Sequence, residues 1–93
     1  PIEVESVLNA HPDVQESAVA EVRVKDDTTV IAAFIVARRA LNPDALQAFA
    51  RGRLARYKMP RLFIEVSALP KGPNGKLLRK QARRNYEDEN GQA

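Results

Sequence analysis

The sequence predicts a small α+β domain, with a mainly antiparallel sheet of three or more strands and about three helices packed on it. Three observations carry this. Residues 17–24 alternate apolar and polar with the period of a strand, residues 29–37 are apolar on both faces, and residues 46–57 repeat apolar side chains at helical spacing. With 93 residues, 44% hydrophobic and 29% charged, the chain has the composition of an ordinary soluble globular protein and supports one modest core.

Pro1 to Ala10 reads as a short helix. Proline suits the first helical position, Glu3 and Glu5 complement the positive helix end, and Val4, Val7, Leu8 and His11 share a face. His11-Pro12 ends it, because the residue before a proline is pushed out of the α region. The single histidine is placed at the helix end near the last carbonyls, not in a catalytic or metal-binding role. Ser17 to Val24 sets Ala18, Ala20, Val22 and Val24 on one face and Ser17, Glu21 and Arg23 on the other, a half-buried strand. Lys25-Asp26-Asp27-Thr28 is a polar turn. Thr29 to Ala37 is then a central strand covered on both sides, paired with its predecessor as a hairpin.

Asn42-Pro43-Asp44 starts a helix with an N-cap side chain, a proline and an early acid. Leu46, Phe49, Ala50, Leu54 and Tyr57 carry it to Pro60, with Gly52 inside it costing about 1 kcal/mol relative to alanine. Arg61 to Val66 forms a third strand. After a loop, a final helix from about Leu77 to Tyr86 buries Leu78 and Ala82 and exposes Arg79, Lys80, Arg83 and Arg84.

Composition excludes several function classes. No apolar run reaches spanning length, so no transmembrane helix is expected. The start has no charged region followed by an apolar stretch, as a signal peptide would. It also lacks an initiator methionine, which is the expectation for a piece of a longer chain. Without cysteine there is no disulfide framework, thiolate metal site or Cys nucleophile, in keeping with a cytoplasmic origin. The net charge of +3 is unevenly spread: basic residues dominate from Arg51 to Arg84, whereas Glu87-Asp88-Glu89 is acidic and expected to fray. Aromatic residues do not alternate with basic ones as a base-stacking platform requires, so nucleic acid is not an expected partner.

The segment Leu69-Pro70-Lys71-Gly72-Pro73-Asn74-Gly75-Lys76-Leu77-Leu78-Arg79-Lys80 is the most informative. Gly75 adopts φ > 0 at no steric cost, Pro73 fixes its own φ, and Asn74 tolerates a left-handed turn. Such a loop presents Lys76 on a short lever toward an anion. It is not a P-loop: the spacing from Gly72 to Gly75 is too short, and Leu77 stands where Ser or Thr should hold magnesium. No Ser-His-Asp set, paired catalytic carboxylates or metal-spaced cluster is evident, and no metal ligand is assigned. A lysine on a mobile loop still completes a site supplied by another domain, by stabilising charge that develops in the reaction.

Four stretches, in order and at matching spacing, resemble the C-terminal domain of the adenylate-forming superfamily of acyl-CoA synthetases, peptide-synthetase adenylation domains and luciferases. They are Pro1-Ile2-Glu3-Val4-Glu5-Ser6-Val7-Leu8 with His11-Pro12-Asp13-Val14, Ala32-Ala33-Phe34-Ile35-Val36, Leu54-Ala55-Arg56-Tyr57-Lys58-Met59-Pro60, and Leu69-Pro70 through Lys80. The resemblance implies a lid carried by a large N-terminal domain that binds ATP and a carboxylic acid. Lys76 then matches the lysine that reaches the α-phosphate and the carboxylate during adenylation, with Gly72, Pro73, Asn74 and Gly75 as its loop. The lid rotates for the second half-reaction, in which the thiol of CoA receives the acyl group. ATP, Mg2+ and CoA are the implied cofactor and co-substrates, with Mg2+ and most of ATP held by the N-terminal domain. Arg23 and Lys25 are the residues assigned to CoA phosphates, on a loop between the first two strands that is shorter than in relatives.

Within the resemblance, an acid–CoA ligase is favoured over a peptide-synthetase adenylation domain that delivers to a carrier-protein thiol. Asn74-Gly75-Lys76 suits the latter, but Leu77-Leu78-Arg79-Lys80 stands in place of its common Val-Asp-Arg-Lys, and the acidic end at Ala93 carries the expectation of a free-standing ligase with no carrier domain. A reading of another class is a basic binding module for nucleic acid or protein, built on Arg79, Lys80, Arg83 and Arg84.

Overall fold

The structure, a computed structural model, describes residues 2–90. Its order is α1 (Ile2–Asn9), β1 (Val14–Arg23), β2 (Thr29–Ala37), α2 (Pro43–Arg51), β3 (Leu62–Glu65) and α3 (Arg79–Asn90). The expected helix, strand, strand, helix, strand, helix is borne out, as is the α+β class. Pro1, expected to open the first helix, lies outside the described residues.

The sheet runs β1-β2-β3, so β2 is central, as its apolar faces require. β1 and β2 pair antiparallel, from Arg23 opposite Thr29 to Val14 opposite Ala37. β3 joins the other edge of β2 parallel, Ala32 opposite Leu62 through Ile35 opposite Glu65. The sheet is thus mostly antiparallel with one parallel pair. β3 must be parallel because α2 carries the chain back over one face of the sheet before it pairs, as a crossover does.

Side chains alternate across the pleat and feed two cores. On one face, Val14, Val19, Ala33 and Ile35 pack with Val4 and Leu8 of α1, Leu46 and Ala50 of α2, and Leu54. On the other, Ala18, Val22, Ala32, Phe34 and Val36 pack with Leu69 and with Ala82 of α3. This corrects the half-buried reading of β1: Val14, Ser17 and Val19 are buried on its second face because α1 lies over it. β1 also begins three residues earlier than the alternation suggests, with a register shift between Val14 and Glu16. Each large side chain fully withdrawn from water here, Phe34 or Leu8 for example, contributes about 1.5–3 kcal/mol.

α2 starts as expected, with Asn42 Oδ1 accepting from the N–H groups of Asp44 (2.9 Å) and Ala45 (3.3 Å). It stops at Arg51, well before Pro60, and Gly52 is its C-terminal cap rather than an interior residue, so the helix does not bear the predicted glycine cost. Leu54 is buried from irregular chain, and a 3-10 turn follows at Arg56–Lys58. Tyr57, placed on the helix face by its spacing, is instead 79% exposed.

α3 begins at Arg79, two residues later than expected, and its helical span takes in Glu87, Asp88 and Glu89, the stretch expected to fray. Glu87 Oε2 accepts from the Arg23 N–H at 2.7 Å and from Arg83 Nε at 3.0 Å, which docks the helix end on β1. Leu77, not Leu78, packs against the second core; Leu78 is 38% exposed. His11 sits where expected, just past the end of α1. Its N–H donates to the Leu8 carbonyl at 3.1 Å, its Nδ1 accepts from the Asp13 N–H at 3.1 Å, and its ring meets Phe49 edge-on at 4.9 Å.

Because Asn42 satisfies two otherwise unpaired donors, Asn42→Ala should destabilise the domain by about 1 kcal/mol, whereas Asn42→Asp should be near neutral. Urea denaturation of the 93-residue domain followed by circular dichroism measures both.

Candidate functional site

The lysine loop is a miniature hairpin closed by backbone hydrogen bonds. Lys71 and Leu77 form an antiparallel bridge. Below it the Leu78 N–H donates to the Pro70 carbonyl (3.0 Å), and above it the Gly72 N–H donates to the Lys76 carbonyl (2.8 Å). The turn itself closes with the Gly75 N–H on the Gly72 carbonyl at 2.9 Å. Gly75 takes φ +77°, while Asn74 stays outside the left-handed region. A Cβ at residue 75 would meet nothing within 4 Å, so backbone conformation alone selects glycine there. A type I turn followed by a left-handed glycine is a common way to close such a hairpin.

Lys76 leaves this frame exposed, and its ammonium group has no hydrogen-bond or ion-pair partner among the described residues. The two cations flanking it are tied down. Lys71 Nζ lies 2.8 Å from Glu16 Oε1 on β1. Arg79, the first residue of α3, grips Glu5 of α1 with a two-pronged contact, Nε to Oε2 at 2.6 Å and Nη2 to Oε1.

Glu5 is only 6% exposed, and Oε2 also accepts the Val19 N–H at 2.8 Å. Burial pushes its carboxyl up, but the Arg79 hydrogen bonds and charge and the Val19 N–H outweigh it and hold the group below its usual 4.5. On the other side, the carboxylate pushes the Arg79 guanidinium further up. From sequence alone Arg79 is expected to be exposed and Glu5 to complement the helix dipole; the structure instead pairs them. The available signal was position: Glu5 lies between Val4 and Leu8, where an acid meets the core rim and needs a cation.

The structure does not bring Arg23 and Lys25 to the lysine loop. They lie exposed at the β1–β2 turn, where the Arg23 N–H donates to Glu87 near the far end of α3. Eight residues separate Arg79 from Glu87, about 12 Å along the helix axis. A site that sequence reasoning missed is a cleft of ≈ 440 Å3 lined by Gln47, Arg51, Leu54, Arg56, Met59, Pro60 and Arg61. Arg51, Arg56 and Arg61 are exposed, and none is ion-paired among the described residues. The early end of α2 creates this cleft, so the sequence offered no spacing rule that would reveal it. Among the described residues no group of three or more His, Asp or Glu is arranged to hold a metal, and no helix is long and apolar enough to cross a membrane.

The pattern of the AMP-binding enzyme C-terminal domain family matches residues 3–76, most of the chain and up to the exposed lysine. The chain belongs to this family. It is 44% identical over 86 residues to the 2-succinylbenzoate–CoA ligase of Geobacillus kaustophilus, covering 90% of this chain and 18% of that protein. A fatty acyl CoA synthetase structure from Mycobacterium tuberculosis superposes with a TM-score of 0.86 at 33% identity, over 96% of this chain and 18% of that one. A dimodular nonribosomal peptide synthase from Bacillus subtilis is 35% identical over 78 residues, 84% of this chain and 3% of that protein. The chain therefore spans under a fifth of the ligases it resembles, and within this superfamily its similarity runs chiefly to acid–CoA ligases.

The pH dependence of the Glu5 pair has a definite sign. A carboxyl whose folded pKa is lowered stabilises the fold fully above its unfolded value near 4.5, and this stabilisation is lost as pH falls through the lower folded value. Wild-type stability should thus fall on acidification more steeply than that of Glu5→Gln, and the two curves should converge at strongly acid pH. Denaturation across a pH series tests this.

Proposed function

We propose that this domain is the mobile lid of an ATP-dependent, AMP-forming acid–CoA ligase, and that Lys76 serves its adenylation half-reaction. The observation that carries the reading is an exposed ammonium group, unpartnered among the described residues, on a hydrogen-bonded hairpin in a chain of this family. A carboxylate oxygen attacks the α-phosphorus of ATP, the bond to the β-phosphate oxygen breaks, and pyrophosphate leaves. Attacking group and target are both anionic, so a cation between them offsets repulsion and the charge gathering on the α-phosphate oxygens. Gly72, Pro73, Asn74 and Gly75 fix where that cation starts. The acid, ATP and any Mg2+ are bound mainly by an N-terminal domain, the partner of this one, and Mg2+ enters no step assigned to the residues described here.

After adenylation the lid rotates to admit CoA, a conformational step of a kind that commonly assembles sites in turn. A fatty acid is one substrate class in keeping with the name of the Mycobacterium tuberculosis neighbour. ATP and CoA as co-substrates suit a cytoplasmic location. A carrier-protein thiol in place of CoA is supported less, since ligases supply the stronger similarities. In the full-length enzyme, Lys76→Ala should abolish pyrophosphate exchange yet leave conversion of a supplied acyl-adenylate to the thioester near the wild-type rate. Equal loss of both steps would remove the role given to Lys76.

Two basic surfaces compete for the phosphates of CoA. Arg23 and Lys25 are one; the other is the cleft of Arg51, Arg56 and Arg61, whose apolar floor of Leu54, Met59 and Pro60 suits a ligand that is only partly charged. Three unpaired guanidinium groups around one cleft repel each other, and an anion relieves that. Measured as KM for CoA, Arg56→Ala and Arg61→Ala should each raise it several-fold, about 1 kcal/mol, the upper end for a solvent-exposed ion pair, without changing pyrophosphate exchange. A rise confined to Arg23→Ala and Lys25→Ala would assign the phosphates to the β1–β2 turn instead.

A further inference from the structure

We propose that Arg79, gripped by Glu5, is a positioning residue for Lys76. The part-buried two-pronged contact anchors the base of the lysine hairpin to α1, so that the backbone of Lys76 travels with the domain. This rests on the adenylation role given to Lys76 above.

The argument starts from covalent distance. Arg79 follows Lys76 by three residues, and the intervening Leu77 and Leu78 are held by the hairpin bridge and by the Leu78 N–H on Pro70. Any displacement of Arg79 is therefore passed to the backbone of Lys76 with little slack. α3 on its own would not hold that end still. Its first turn carries Arg79 and Lys80 and no acid, against the positive end of the helix dipole. Its first turn is closed by the Ala82 N–H on Leu78, at 3.2 Å. The Glu5 carboxylate supplies the missing negative charge at that helix end. It is itself fixed by the Val19 N–H of β1, so three separate elements meet at one carboxylate.

The other arm of the hairpin is tied by Lys71 to Glu16, a more exposed and hence weaker contact. The hairpin thus has two moorings, with Lys76 between them as the one cation of its strand arms left free for a ligand. Glu5 lies in α1, the first element of the fold. A rotation delivered through α1 would then reach Lys76 through a stiff path: α1, Glu5, Arg79, hairpin.

The test uses the full-length enzyme and reads the two half-reactions separately, at a temperature where thermal melts show each variant folded. Arg79→Ala and Glu5→Gln should reduce pyrophosphate exchange, the former by about 10²-fold, the scale of a misplacement near 1 Å. Both should leave thioester formation from a supplied acyl-adenylate unchanged, because that step does not use Lys76. Methylguanidinium added to Arg79→Ala should restore part of the exchange. If Arg79→Ala does not fold, Arg79→Lys decides: it keeps the charge but loses the fork, so exchange should still drop while thioester formation does not. Equal loss in both half-reactions, or undiminished exchange in the folded variants, would assign the pair to stability alone and overturn the proposal. Lys76→Ala run alongside separates the two ideas. If it retains exchange, the adenylation role itself fails; if it loses exchange while Arg79→Lys does not, only the positioning role fails.

Discussion

A carboxylate withdrawn from water must be given donors, and the solution to that constraint at Glu5 organises much of this domain. β1 is an edge strand, paired only with β2, so every second N–H on its outer side lacks a sheet partner. Glu5, reaching from α1, accepts the Val19 N–H; Glu87, reaching from α3, accepts the Arg23 N–H. Positions 19 and 23 have the same parity along the strand, so two acids from opposite layers cap the same open edge. An uncapped edge of ten residues would be a template for pairing with another chain. The acids also explain how α1 and α3, which pack on opposite faces of the sheet, come to be joined: Arg79 comes round that edge to share the Glu5 carboxylate.

Much of this was legible in the sequence, and the parts that were not share a cause. The β1–β2 hairpin, the two-faced core of β2 and the Asn42 cap rest on local rules, and each appears where its residues put it. Failures came where a local pattern had a second solution. Leu54 and Tyr57 continue a helical spacing, but a chain leaving the helix at Gly52 buries Leu54 just as well and lets Tyr57 face water. Leu77 and Leu78 both suit a helix start, and the bridge to Lys71 selects Leu77 for the core. The parallel direction of β3 depends on a crossover that no feature of residues 62–65 encodes. At the site, Lys76 and the left-handed Gly75 were readable from turn chemistry alone. The Glu5–Arg79 contact spans 74 residues and was not, because a salt bridge between distant elements leaves no period.

The charge pattern also takes on a different meaning in three dimensions. Read along the chain, Arg79, Lys80, Arg83 and Arg84 form a basic run that suits a binding surface. In the fold Arg79 is committed to Glu5 and Arg83 to Glu87, and α3 continues directly into Asp88 and Glu89. Two of the four cations are already neutralised, and an acidic turn lies beside the rest. That weakens the case for a polyanion partner on α3, whereas the three unpaired arginines around the α2 cleft keep theirs.

An exposed lysine has little electrostatic force of its own. Two unit charges 4 Å apart interact by about 1 kcal/mol in water and about 4 kcal/mol at the effective dielectric of a protein surface. On the adenylation role proposed for Lys76, its catalytic value is latent here and would arise when a second domain closes over it and excludes water. At that moment the side chain must be ordered, which costs up to about 2 kcal/mol of rotamer freedom for lysine. A hairpin that also had to be ordered would add roughly 1–2 kcal/mol for each backbone residue fixed, enough to cancel the gain. The bridge, the left-handed glycine and the Glu5–Arg79 contact settle the backbone in advance, leaving only the lysine side chain to be fixed on closure. A backbone held below the lysine and freedom at its tip are two sides of one requirement, and on the proposed role the mooring residues would belong to the site as much as Lys76.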